Sequence, residues 1–237
     1  MRTPYTMRII DNCMNCPSRD AQFLCHLSLP ALQKLNEFKS TALYPKGAML
    51  FIEGEPPRGI FILCSGKAKL STSSKDGKTI ITNICKAGDV LGLSASVVDR
   101  TYEVTAEMIE AGQANFISRE SLLQLVKDNS EIAFRVGLQA SFNYFDAYEE
   151  IRTLGISRSP AEKFAKLLLS WYPDQQTNGC AQVKVAFTHG EIAEMIGTTR
   201  ETVTRLFTDF TKKKLLQRVG ATLTFRNRPA LEQMVHC

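Results

Sequence analysis

The stretch Thr188 to Phe210, THGEIAEMIGTTRETVTRLFTDF, constrains the fold of this chain more than any other, because its signals fit two short helices around a tight turn. Thr188 and Glu191 have the spacing of a capping box, so a helix starts there with its orphan amides satisfied. Ile192, Ala193 and Ile196 line one apolar face, and Gly197 ends the helix, since glycine takes the left-handed backbone that turns the chain. A second helix follows at once, opened either by a capping box of Thr198 with Glu201 or by Thr199 as the cap. Along it Val203, Leu206, Phe207 and Phe210 recur at helical spacing as a stripe to be buried. Arg200, Glu201, Thr204, Arg205 and Thr208 fall on the opposite face, where a helix lying in a DNA major groove presents its reading side chains. Taken alone, the pattern also fits a helical hairpin with a solvated charged face.

Charge bears on that choice. Residues 155 to 237 hold twelve Lys and Arg against seven Asp and Glu, which is the whole +5 of the chain, while residues 1 to 154 hold seventeen of each sign. The excess is segregated onto the segment that carries the helical pair, as binding a polyphosphate requires. Lys212, Lys213, Lys214 and Arg218 follow the second helix as candidate phosphate contacts. With 237 residues, 44% of them apolar, the chain is long enough for one large or two small domains with real cores. No apolar run approaches membrane-spanning length and the first twenty residues lack a secretory core, so the simplest address is the cytoplasm, with no membrane partner. The seven cysteines are then expected as reduced thiols or metal ligands and not as disulfides.

The rest of the chain reads as an α+β protein. Residues 1 to 28 are irregular and contain Cys13, Cys16 and Cys25, with His26 beside the last. Ser28 is placed to cap a short helix that carries Pro30, Leu32, Leu35 and Phe38. From Ala48 to about Ile117, short β-rich runs (MLFIE, IFILC, KAKLST, TIITNIC) alternate with glycine corners, which argues for a compact antiparallel roll or sandwich. Lys67 to Thr72 alternates as a strand with one wet face, and Asp76-Gly77 marks the hairpin after it.

Ser130 to about Gly155 reads as one long helix. Ala133, Gly137, Ala140, Tyr144, Ala147, Ile151 and Leu154 form a coiled-coil seam on it, and Phe134, Leu138, Phe142 and Phe145 form a second stripe. Of two such stripes, one is expected against the helix's own domain and the other against a partner. Gly155 to Ser159 is a hinge, Pro160 opens a core helix with Phe164, Leu167, Leu168 and Trp171 on one side, and Pro173 to Gly179 is a polar loop. LLQRVGATLTF supplies two short strands around Gly220-Ala221, a β-wing that makes the C-terminal domain a winged helix-turn-helix. The order gives four parts: a Cys-containing segment (1–27), a roll (28–128), a dimerisation helix and hinge (129–156) and the winged domain (157–237).

From about residue 28 to 236 this order resembles the Crp/Fnr family of bacterial transcription regulators. The resemblance rests on LFIEGEPPRGIFILCSG, with Gly54 and Gly66 around the apolar Ile60 to Leu63, on AGDVLGLS with Gly88 and Gly92, and on TTRETVTRLF, which looks like the family's recognition helix. It implies a jelly-roll-like sensor roll, and a homodimer reading a pseudo-palindromic site on double-stranded DNA through Arg200, Glu201 and Arg205. A TGTGA-like half-site and RNA polymerase as a partner are implied with it. In members that bind cyclic AMP, a Gly-Glu pair holds the ribose and an Arg-Ser or Arg-Thr pair the phosphate. Here Leu93 follows Gly92, although Arg100-Thr101 stands at the phosphate position. Leucine leaves a buried ribose hydroxyl unpaired at about 1–3 kcal/mol, so the roll's effector is expected not to be cyclic AMP. Arg100 is left for another anionic ligand or for the surface.

Oxygen sensors of the same family hold an iron-sulfur cluster with N-terminal cysteines and one more from the roll. The resemblance extends that possibility, or another metal, to Cys13, Cys16 and Cys25, but Asn115 stands where the roll's cysteine would be. Cys64 or Cys85 could replace it if the fold brings one near, and His26 offers a nitrogen ligand. Both cysteines sit in apolar runs, where the residue is commonly a small buried hydrophobe. Two other function classes compete. A ligand-binding module acting on a protein partner would have no use for the basic segment, and a thiol oxidoreductase using Cys13-x-x-Cys16 would want a strand before the motif and a helix after it, where Pro17 fits poorly.

Overall fold

The computed structural model describes residues 9–16, 19, 24–156, 159–172, 181–185 and 187–235, without the side chains of 149–150 and 153–156. The chain divides into two compact units, Met1–Asp146 and Ala147–Cys237.

In the first unit a short 3-10 turn, Cys13–Asn15, precedes α1 (Leu29–Phe38), and eight strands follow: β1 (Lys39–Tyr44), β2 (Met49–Phe51), β3 (Gly59–Leu63), β4 (Lys67–Ser73), β5 (Thr79–Cys85), β6 (Val90–Leu91), β7 (Thr105–Glu110) and β8 (Gly112–Ser118). α2 (Leu93–Val98) lies between β6 and β7, and α3 (Arg119–Asp128) and α4 (Ser130–Ile156) come after β8. The strands pair antiparallel in two four-stranded sheets, in the orders β1-β8-β3-β6 and β2-β7-β4-β5. This is the expected roll.

Strand β3 shows why it closes. All five of its residues are buried, yet they serve two cores, because successive side chains point to opposite faces. Phe61 and Leu63 face inward to Phe51, Leu91, Tyr102 and Met108, from both sheets. Ile60 and Ile62 face outward, under Leu32 and Leu35 of α1, Leu122 and Leu125 of α3, and Ile132 and Val136 of α4. A continuous apolar run is what a strand covered on both faces needs.

Three local expectations are corrected. The wet face expected over Lys67 to Thr72 is interrupted, because Ser71 is buried with Ala68, next to a bulge whose extra residue, Thr82, lies on the neighbouring strand β5. Ser28 does not cap α1 with its side chain. Its hydroxyl donates to Glu131 Oε2 at 2.5 Å and its amide to Oε1 at 2.7 Å, which ties the start of α1 to the start of α4. The third concerns α4. Neither apolar stripe is buried in its own unit: Phe134, Phe142 and Phe145 are as exposed as Tyr144 and Ile151, and Ala133 and Leu138 are half-buried. Ile132, Val136 and Gln139 are buried instead, a narrow third line at steps of four and three confined to the first turns. Leu154 of the seam lies outside the described side chains.

The second unit contains α5 (Pro160–Ser170), β9 (Gln182–Lys184), α6 (His189–Ile196), α7 (Arg200–Lys212), β10 (Leu216–Val219), β11 (Thr222–Phe225) and α8 (Arg228–Val235). Ser159 caps α5, with Pro160 in the first turn, where its missing N–H costs nothing. The strands form one antiparallel sheet, β10-β11-β9, with Val219 opposite Thr222 across the wing tip at Gly220-Ala221. Phe164 packs edge-on to Phe207 with centroids 4.9 Å apart and against Phe210 at 5.1 Å. Around them Leu168, Ile192, Val203 and Leu223 are almost fully buried, each contributing about 1.5–3 kcal/mol of transfer free energy. Helix α8, which sequence reading missed, closes this core with Leu231. The hinge residues 157–158 and the polar loop at 173–180 lie outside the described residues.

Candidate nucleic-acid interface and a cysteine-lined pocket

The turn between α6 and α7 is built as its residues dictate. Thr188 and Glu191 form a complete capping box, and Gly197 at φ +64° ends α6, its neighbour Thr198 N–H returning to the Ala193 carbonyl at 2.9 Å. Of the two caps left open for α7, Thr199 serves, its hydroxyl oxygen accepting from the Thr202 N–H at 3.3 Å. Val203, Leu206, Phe207 and Phe210 are buried, while Arg200, Glu201, Thr204, Arg205 and Thr208 are exposed along the other side. Lys212, Lys213, Lys214 and Arg218 are exposed as well, with Lys214 in a left-handed conformation (φ +57°) where the chain leaves α7 for the wing.

One participant was missed from the sequence. His189, in the first turn of α6, stacks on Phe207 with centroids 4.9 Å apart, and the Arg218 guanidinium lies 4.9 Å from the same ring. Arg218 Nη1 also meets His189 Nε2. Arginine only donates, so Nε2 accepts and the ring proton sits on Nδ1, which donates to Thr204 Oγ1 at 2.8 Å. The Thr204 hydroxyl in turn donates to the Arg200 carbonyl at 3.0 Å. Partial burial, then Arg218, then Arg200 hold His189 below the usual histidine range, in keeping with a neutral ring. First helix, second helix and wing are thus fastened at one point, and Thr204 presents its methyl rather than a free hydroxyl. Thr188, His189, Gly190 and Arg200 line an open cleft of about 510 Å³ beside it. No aromatic spacing or motif pattern flags a histidine in this role.

In the roll, the four residues expected at an effector pocket stand at the two ends of α2. Leu93 is buried in the outer cluster with Ile60, Ile62 and Val90, whereas Arg100 and Thr101 are exposed beyond the far end of α2. Gly92 borders the interior, and a Cβ there would stand 2.8 Å from the Tyr102 ring. Tyr102 stacks on Phe51 with centroids 4.1 Å apart. Its phenol donates to the Gly59 carbonyl at 2.7 Å and accepts from the Arg58 and Gly59 amides at 3.1 and 3.2 Å. The roll's interior next to Gly92 is therefore filled by its own aromatic side chains.

The cysteines do converge. Cys13, Cys16, Cys25 and Cys64 line one cavity of about 20 Å³ with Arg19, Leu24, Leu32, Leu35, Ile62 and Asn115, on the outer face of the β3 sheet. Cys85 is elsewhere, buried inside the roll, where desolvation and then Asp89 push its thiol up to about 12. Burial, reinforced by the neighbouring cysteines, pushes Cys25 up to about 12 and Cys64 up to about 11. Cys13 is raised for the same first reason. Among the described residues no three His, Cys, Asp or Glu side chains already meet at one ion-binding point, and His26 does not line the cavity. The donor chemistry nevertheless fits a thiophilic metal centre: four sulfurs around one space, with an amide N–H, Asn115 Nδ2, 3.6 Å from Cys13 Sγ. The cavity as it stands has room for about a single ion or water, so a cluster would need it to widen.

Comparison with known proteins agrees with this division. A family described as cyclic nucleotide-binding domain matches residues 42–129, and one described as Crp-like helix-turn-helix domain matches residues 162–234. The chain is similar to the CRP-like cAMP-activated global transcriptional regulator of Mycobacterium tuberculosis, 27% identical over 184 residues, which cover 76% of this chain and 81% of that protein. It is also similar to the transcriptional activator protein anr of Pseudomonas aeruginosa, 24% identical over 212 residues, 88% of this chain and 86% of the relative. The fold matches that of FixK2 from Bradyrhizobium japonicum with a TM-score of 0.72, covering 83% of this chain and 96% of that one at 22% identity.

Proposed function

The chain belongs to the Crp/Fnr family of transcription regulators, and from that premise we propose that it acts as a homodimer reading a pseudo-palindromic DNA site. Two α4 helices pair through the seam from Ala133 to Ile151, and α7 of each protomer enters a major groove about 34 Å from the other. Arg200 and Arg205 donate to guanine edges, and Glu201 accepts from a cytosine amino group. Thr199 and the Thr204 methyl lie alongside, and Lys212, Lys213, Lys214 and Arg218 touch phosphates. RNA polymerase is the protein partner and the cytoplasm the place of action; no described helix is long and apolar enough to cross a membrane. The protein binds and switches, with no reaction of its own. The observation that carries this reading is the exposed polar face of α7 within residues 155 to 237, the segment that holds all the excess positive charge.

Gel-shift titration across salt tests it. Four phosphate-contacting cations per protomer give a dimer a slope of log K against log salt of about −7. A flat salt response, or binding untouched by removal of the three lysines, contradicts it.

Leu93 turned into the outer cluster and Tyr102 filling the interior beside Gly92 support a roll whose effector is not cyclic AMP. Gly92, Arg100 and Thr101 then keep structural or surface roles. The convergence of thiols favours a second element of the reading, in which Cys13, Cys16 and Cys25 hold a metal ion or iron-sulfur cluster whose loss or oxidation alters DNA affinity. Bound there, such a group supplies sensitivity to oxidant or to metal supply. Iron, sulfide and zinc analysis of anaerobically purified protein, with DNA affinity measured in air and under nitrogen, tests this element.

A further inference from the structure

The pairing of β3 with β8 fixes which side chains look into the cysteine cavity. Ile62 stands opposite Asn115 and Leu63 opposite Ala114, and the Cys64 amide then donates to the Gln113 carbonyl at 2.7 Å. The antiparallel register thus continues one residue past the end of β3. Alternation places Ile60 and Ile62 on the outer face, and Cys64 keeps that parity. On β8 the same face carries Ile117, Asn115 and Gln113, whose amide group holds Ile10 of the N-terminal segment through two hydrogen bonds of 2.8 and 2.9 Å. Residues 64 and 115 are diagonal neighbours on one face of an antiparallel pair, a separation of about 7–8 Å at most. A thiol at either position reaches the same space, and Cys64 and Asn115 both line the cavity.

Asn115 has a different task. It is almost fully buried, and both ends of its amide are engaged. Oδ1 accepts from the Thr41 hydroxyl at 2.8 Å, which turns Nδ2 toward Cys13 Sγ at 3.6 Å. The Cys13 backbone is held separately, its N–H donating to Asn36 Oδ1 at 3.2 Å. A donor fixed on a sulfur favours that sulfur as a thiolate and sets its direction, the part outer-shell groups play around ligated metals.

We infer that Cys64 is the fourth thiolate of a thiophilic metal centre completed by Cys13, Cys16 and Cys25, and that Asn115 is the residue that positions Cys13 within it. The inference rests on the reading of the three N-terminal cysteines as ligands and adds the strand and the residue that complete the site.

Anaerobic titration of the metal-stripped full-length protein with Co²⁺, followed by its thiolate charge-transfer absorption, tests it, with iron and sulfide reconstitution as a parallel arm for a cluster. The wild type is expected to bind with the absorption of four thiolates. Cys64→Ser is expected to lose roughly a quarter of that absorption, one thiolate of four, and to fail to hold a cluster, while Cys85→Ser matches the wild type. The double variant Cys64→Ser with Asn115→Cys restores the fourth thiolate from the neighbouring strand, which separates ligation from misfolding. Asn115→Ala keeps four thiolates, shifts the charge-transfer energy and weakens binding about 10–100-fold. Cobalt absorption undiminished in Cys64→Ser overturns Cys64 as a ligand, and an unshifted Asn115→Ala overturns its positioning role. A wild type that takes up neither cobalt nor iron overturns the metal reading itself, and the inference with it.

Discussion

The two units keep their chemistry on opposite sides of their cores. In the C-terminal unit the aromatic core of Phe164, Phe207 and Phe210 is inside, and the distinctive groups, Arg200, Glu201 and Arg205, point away from it into solvent. The N-terminal unit is nearly neutral, with sixteen Lys and Arg against fifteen Asp and Glu over residues 1 to 146, and its distinctive groups are turned inward: Tyr102 buried between the sheets, and Cys13, Cys16, Cys25 and Cys64 half-buried around one cavity. An exposed charged face suits a polyanion met by diffusion, whereas half-buried thiols gathered around one cavity suit a small ligand. On the proposed reading, one unit touches a macromolecule and the other holds a small ligand within itself.

If the roll is plugged by its own side chain, Tyr102→Ala should give the largest effect of any single change. Emptying a fully buried aromatic site costs about 3–5 kcal/mol, and thermal unfolding of the roll should fall steeply while the C-terminal unit's transition stays in place. An unchanged melt would mean that the interior is not packed as described. Ile151→Glu probes assembly, since it sets a charge into the proposed seam. Light scattering should report a monomer with poor operator binding, and a variant that stays dimeric removes α4 from the interface. On the other unit, Thr188→Ala deletes the capping-box hydroxyl and should cost about 1 kcal/mol in the melt of that unit alone.

The smallest expected effect is a pH dependence. His189 is held below the usual histidine range by burial, Arg218 and Arg200, so the unfolded chain takes up its proton first. The contribution to stability is complete above about pH 6.5 and is lost as pH falls through the folded value. Replacing it by His189→Gln should flatten the wild type's loss of C-terminal stability between neutral and acidic pH. If both proteins respond alike, the histidine does not fasten the wing.

Legibility in the sequence followed the same divide. The recognition face, its caps and the wing were readable because each is local: a capping box spans four residues, and a helical face repeats within two turns. The roll's existence was readable from glycine-punctuated β-runs, but its sites were not, because they are made by strand register. Only pairing brings Cys64 beside Asn115 across fifty residues, and only the fold carries Tyr102 back to Gly59 and Phe51. The bulge at Thr82 and α8 were invisible for related reasons, one a register shift and the other a short helix with a single fully buried residue, Leu231. On α4 the seam pattern was legible, yet two apolar stripes did not reveal that a third, narrower line meets its own unit. His189 gave no signal because its partners, Thr204 and Arg218, lie on two other elements.

Binding-site selection from randomised duplexes, run in parallel on the wild type and Arg205→Ala, bears most directly on the central claim that α7 reads bases as half of a symmetric pair. The wild type should enrich an inverted repeat whose half-sites lie about one helical turn apart and contain G·C steps. Arg205→Ala should keep the repeat and its spacing but lose preference at one position in each half-site, at a cost of about 1–3 kcal/mol. A wild type that enriches no repeat, or an Arg205→Ala profile identical to it, would contradict the claim.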